Sequence, residues 1–181
     1  MSEKKDTAFF LKILRKELCL VANQDPNLEK VTPNEIADDT ILYDLGIDSI
    51  DLLDMAMKIG PQTGAYIYGE HIDHGASITT LELAKAFARA AGELRDDIYF
   101  MAVLKERFVN LGFPWEILDD FRKELRADSA LKPNMDKSPY FKSEIWVNTL
   151  EAERLDWQLP VPKVETVGDL AKALVELANK S

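Results

Sequence analysis

A hydroxyl among carboxylates, Asp48-Ser49-Ile50-Asp51 with Asp54 one turn on, is the constellation in this chain closest to chemistry. A serine that attacks substrate needs a base to take its proton. No His, Lys or Arg lies near Ser49 in the sequence, so nothing local activates it as a nucleophile. Asp and Ser are also preferred helix caps, so the dipeptide alone is equally an ordinary helix start. A second candidate is His71-Ile72-Asp73-His74, whose imidazoles have metal-ligand spacing. A zinc site needs three or four ligands, and no third or fourth is evident nearby. The expectation is loop histidines, with no metal and no catalytic residues.

Helical spacing extends past Ser49. Ile50, Leu53 and Met57 form one apolar row, with Leu52, Ala56 and Ile59 beside it. Asp51 and Asp54 are expected on the opposite, wet surface, and Asp48 and Asp51 suit the positive end of the helix dipole. Ser49 thus becomes an exposed hydroxyl at a helix start.

The run Leu45-Gly46-Ile47-Asp48-Ser49-Ile50-Asp51-Leu52-Leu53-Asp54-Met55 closely resembles the attachment site of acyl carrier proteins. The resemblance covers about residues 6–91. It implies that Ser49 receives 4′-phosphopantetheine from coenzyme A through a phosphopantetheinyl transferase. It also implies a carrier rather than an enzyme: the arm would hold acyl groups as thioesters for fatty-acid, specialised lipid or polyketide assembly. Partner enzymes with basic docking patches would meet Asp48, Asp51 and Asp54, with Ile50, Leu53 and Met57 as the apolar contact. Asp-Ser, in place of the Gly-x-x-Ser-Leu of peptidyl carriers, favours acyl over aminoacyl cargo. The competing reading is an unmodified carrier-fold adaptor that only binds proteins.

The elements that must position Ser49 follow the same family order. Thr7 can cap a helix to about Ala22, with Phe10, Leu14, Leu18 and Val21 buried. Thr32-Pro33 opens a short turn in the long loop that follows. Gly60-Pro61 is expected to stop the Ser49 helix after about three turns, since proline cannot donate to the ladder. That early stop and the positive Lys58 depart from the family pattern. Tyr66, Ile67 and Tyr68 can pack against the helix, and a short third helix is expected near the histidines. Thr79 with Glu82 forms a capping box for the last helix, through Leu83, Ala86, Phe87 and Ala90 to Gly92.

Beyond a join near Gly92 to Asp96, four more helices are expected. They are Asp96–Leu111, one from Pro114 through Leu125, Ser143–Trp157, and one from Thr166 to Asn179. Leu170-Ala171-Lys172-Ala173 repeats Leu83-Ala84-Lys85-Ala86 at a distance of 87 residues (170 − 83). This half reads as a degenerate carrier-like repeat without an attachment serine. Ser129 follows an aspartate but lacks a preceding Leu-Gly, and Ser143 follows Phe141-Lys142.

The 181 residues hold 32 acidic and 22 basic side chains, a net charge of −10 that disfavours nucleic acid and anionic membrane. One cysteine, Cys19, excludes an intramolecular disulfide and fits a reducing cytoplasm. No apolar run is long enough for a signal peptide or a bilayer span. The fold expected is all-α, two small helical bundles. Residues 1–93 would be an acyl-carrier-like four-helix bundle and residues 94–181 a second helical domain.

Overall fold

The computed structural model describes residues 4–24, 26, 29–72, 78–110, 126–129 and 141–180. Every regular element among them is helical. The α-helices are α1 (Thr7–Ala22), α2 (Ser49–Thr63), α3 (Thr80–Ala90), α4 (Asp97–Asn110), α5 (Phe141–Ala152) and α6 (Val167–Ala178). The chain divides into two compact units, residues 1–94 and 95–181.

In the first unit α1 packs on α3. Asp6, rather than Thr7, caps α1 by accepting the Phe9 N–H at 3.1 Å. Starting the helix from Asp6 gives a strict four-residue row of buried side chains, Phe10, Leu14, Leu18 and Ala22. Val21, expected in that row, is only half-buried because it lies one position off it. Phe10 stacks on Phe87 of α3 with centroids 5.3 Å apart, and burying each such ring contributes about 2–3 kcal/mol. Two short 3-10 turns complete the unit. Leu42–Leu45 precedes α2, and Gly69–His71 is the short third helix of the bundle.

Pro61 does not end α2. The helix runs through it to Thr63 and stops at Gly64, which takes φ 76° and donates to the Gly60 carbonyl at 2.7 Å. The donor that proline lacks would have served Met57, which is 67% exposed on a face open to water. The missing bond is therefore tolerable there, and local sequence could not show that. Gly60 has a different use. A Cβ on it would lie 2.8 Å from the Tyr66 ring, so Tyr66 packs against α2 at that point.

In the second unit α4 packs on α5 and α6. Phe100, Leu104, Phe108, Ile145, Trp146, Leu150, Val167, Leu170 and Leu174 form its core. The α5 helix ends at Ala152, so Trp157 lies outside it and is 52% exposed. Leu150 and Leu155 close the core in its place, linked by a 2.8 Å backbone bond. The helix expected from Pro114 through Leu125 lies outside the described residues.

Candidate functional site

The site is built outward from two buried anchors. Leu42 and Ile47 are 2% and 3% exposed, and the Ile47 N–H reaches back to the Leu42 carbonyl at 3.2 Å. Between them Gly46 takes φ 72°, ψ 14°, a left-handed turn that only glycine enters without cost. The loop is stitched to the start of α3 as well. Leu42 N donates to Ile78 O at 3.1 Å, Thr80 N to Thr40 O at 3.0 Å and Leu81 N to Asp38 O at 2.8 Å. With both flanks held, Asp48 and Ser49 are turned to solvent.

Asp48 caps α2. Its Oδ1 accepts the N–H groups of Ile50 at 2.7 Å and Asp51 at 3.0 Å, and Asp51 Oδ2 accepts the Asp48 N–H at 3.0 Å. The Asp51 N–H, then the Ile50 N–H, hold the Asp48 carboxyl below its ordinary range. Because Asp48 does the capping, the adjacent Ser49 hydroxyl is spared that task. It is exposed as the first residue of α2, and among the described residues no side-chain hydrogen bond engages it. A phosphate ester there would sit at the positive end of the helix.

The sequence expectations divide at this surface. Ile50, Leu53 and Met57 are 67%, 59% and 67% exposed, while Met55 and Ile59 take the core. Asp54 is exposed too, and its spacing puts it on the face of Ile50, Leu53 and Met57 rather than opposite them. Apolar side chains with an acidic neighbour make one outward patch, the kind of exposed apolar surface that signals binding. Asp51 is half-buried and tied to the cap. Lys58 is no free cation, because it pairs with Glu17 of α1.

Tyr43, in the turn before α2, is 82% exposed and was not singled out from the sequence. Its signal was there: an aromatic directly following an anchoring leucine in a tight turn must face away from the core. His71 is bound into the backbone, with Nδ1 accepting the Tyr68 N–H at 3.0 Å. His74 lies outside the described residues, and among those described no His, Cys, Asp and Glu cluster fits a metal. Nor is any helix among them long and apolar enough to cross a membrane.

Residues 27–81 match the family model described as phosphopantetheine attachment site. That stretch contains the anchored loop, all of α2 and the capped start of α3. Comparison with curated proteins gives no match, and neither does comparison with solved structures.

Proposed function

We propose that the first unit is an acyl-carrier-like domain and that Ser49 bears a covalent 4′-phosphopantetheine arm, since residues 27–81 match the family model described as phosphopantetheine attachment site. The observation that carries this is an exposed hydroxyl, outside the capping network, at the head of α2, which lies wholly in the matched stretch. Bound there, the arm supplies a thiol that holds an acyl group as a thioester. The chain's own residues do the rest. Gly46 and the buried Leu42 and Ile47 present Ser49 to a transferase, and Asp48 keeps α2 wound up to that point. Ile50, Leu53, Met57 and Asp54 form the contact for partner enzymes, whose basic patches Asp54 and Asp44 attract. Tethering raises the effective concentration of cargo at each partner. The cargo proposed is an acyl group of fatty-acid, lipid or polyketide assembly, in line with Asp48-Ser49.

Intact and tandem mass spectrometry after incubation with a phosphopantetheinyl transferase and coenzyme A tests this. One arm is expected, located on Ser49 and absent from Ser49→Ala. The variant should keep its melting temperature, because the hydroxyl caps nothing and such surface changes stay within about 0.5 kcal/mol. A folded wild type that takes no arm would leave the unmodified adaptor as the function.

A further inference from the structure

The second unit repeats features of the first, element by element, at offsets of 90, 89 and 87 residues along the chain (96 − 6, 129 − 40, 167 − 80). Asp96 Oδ1 accepts the Tyr99 N–H at 3.0 Å, as Asp6 Oδ1 accepts that of Phe9 at 3.1 Å. These pairs are 90 positions apart (96 − 6). The next rings match: Tyr99 and Phe100 meet at 5.1 Å and 84°, Phe9 and Phe10 at 5.1 Å and 86°. Phe100, Leu104 and Phe108 then stand where Phe10, Leu14 and Leu18 do, all wholly buried. The same distance of 90 (154 − 64) joins the turns after α5 and α2. Arg154 takes φ 57° where Gly64 takes 76°, and each is followed by a buried residue, Leu155 or Ala65.

Capped helices with four-residue rows are common, so those likenesses alone prove little. The tertiary hydrogen bonds carry more weight. In the first unit Thr80 N and Leu81 N donate to Thr40 O and Asp38 O, at 3.0 and 2.8 Å. In the second, Val167 N and Gly168 N donate to Ser129 O and Ala127 O, at 2.9 and 2.8 Å. Adjacent donors at a Thr-capped helix start meet acceptors two residues apart on a distant loop, in one register. Thr79 and Thr166 cap those helices alike, at 3.2 and 3.1 Å. No local rule of capping or periodicity demands that pairing.

These matches place the serines from Ala127 through α5. Ser129 stands opposite Thr40, and its hydroxyl accepts the Arg126 N–H at 2.9 Å. Ser143, the third residue of α5, stands opposite Leu53 (143 − 53 = 90). That count sets Pro139 against Ser49, while the count of 89 that joins Ser129 to Thr40 sets Ser138 there, a serine that follows Lys137 rather than an aspartate and precedes a proline. Two of the three positions of the outward apolar row change as well. Ser143 and Val147, half-buried, replace Leu53 and Met57, and the exposed residues of α5 include Glu144 and Glu151.

We infer that residues 95–181 are a second carrier fold, matched to the first element by element, that lacks the Leu-Gly-Ile-Asp-Ser acceptor motif and two of the three residues of the apolar docking row. It is therefore passed over by the enzyme that modifies Ser49. The fold argument is independent of the function proposed for Ser49; the non-acceptance rests on it. The test replaces residues 135–144 of the full chain by the sequence of residues 45–54, leaving Ile145, Trp146 and the rest of the core untouched. With transferase and coenzyme A, the wild type should gain one arm and the graft two, the second on the serine introduced by Pro139→Ser. In the wild-type chain, NMR couplings across hydrogen bonds should join Val167 N to the Ser129 carbonyl and Gly168 N to that of Ala127. Absence of those couplings overturns the repeat, whether or not the graft folds. A graft that keeps them yet gains an arm only on Ser49 overturns it too. A wild type without any arm refutes the Ser49 reading instead, and the couplings still judge the fold.

Discussion

At the scale of residues, neighbouring carboxylates do different work. Asp48 and Asp51 exchange backbone hydrogen bonds at the head of α2, whereas Asp54 is exposed. Asp54→Lys should therefore slow modification of Ser49 while the melting temperature holds, because a rim charge acts mainly on association. Asp51→Lys should lower the melting temperature, since it removes the acceptor of the Asp48 N–H. Equal loss of stability in both variants would refute the division. Asp48 adds a pH dependence. Its carboxyl is depressed by the Asp51 and Ile50 N–H groups, so its contribution is complete above about pH 4, the ordinary aspartate value. It is lost as pH falls through the lower folded value. Tyr99 has the opposite sign. Burial first, and then its hydrogen bond to Glu153, push its hydroxyl up to about 12. Between about pH 10, the ordinary tyrosine value, and that point the unfolded chain loses a proton the folded one keeps, so stability falls. Titrating unfolding from pH 9 to 12, Tyr99→Phe should show a shallower decline than wild type.

At the scale of elements, the ends of α2 and α5 test the cost of a left-handed turn. Gly64 has open space where a Cβ would sit, so Gly64→Ala should cost only the conformational penalty, about 1 kcal/mol. Arg154 already bears that strain at φ 57°. Arg154→Gly should then stabilise its unit by about 0.5–1 kcal/mol, glycine's larger unfolded entropy offsetting part of the relief. Urea unfolding followed at Trp146, a core residue of that unit, measures the second change. A loss of stability in Arg154→Gly would show that the arginine side chain does more than endure the turn. Gly168 is different again. A Cβ there would meet the Ala127 carbonyl oxygen at 2.8 Å, so the loop can approach α6 only because that position is glycine.

For the whole molecule, charge sets the character of association. Residues 1–94 carry 9 basic and 16 acidic side chains (9 − 16 = −7), and residues 95–181 carry 13 and 16 (13 − 16 = −3). Most of the excess acid thus belongs to the unit with Ser49. Screening shortens to about 10 Å at 0.1 M salt, so transferase modification of Ser49 should slow as salt rises, through the association rate. Combining Asp44→Lys with Asp54→Lys should flatten that dependence. Equal salt slopes in wild type and double variant would remove electrostatic docking from this face.

The sequence by itself determined what depends on near neighbours. Thr79 and Thr166 were legible as caps because a cap bonds N–H groups two or three residues away. The turn, cap and exposed serine of the Leu45–Met55 run were legible for the same reason, and its reading as an attachment site came from the resemblance to acyl carrier proteins. An all-helical chain followed from apolar spacing alone. Tertiary structure decided which residues on α2 face water. Periodicity finds two apolar rows on that helix and cannot say which one α1 and α3 leave uncovered. It also decided that Pro61 lies within α2, because the cost of its missing donor depends on what surrounds the Met57 carbonyl. Lys58 pairs with Glu17, 41 residues away. The pairings of Val167 with Ser129 and of Gly168 with Ala127 span 38 and 41 residues (167 − 129 and 168 − 127). Backbone N–H and C=O groups are the same in every residue, so no side-chain pattern records which distant pair will meet.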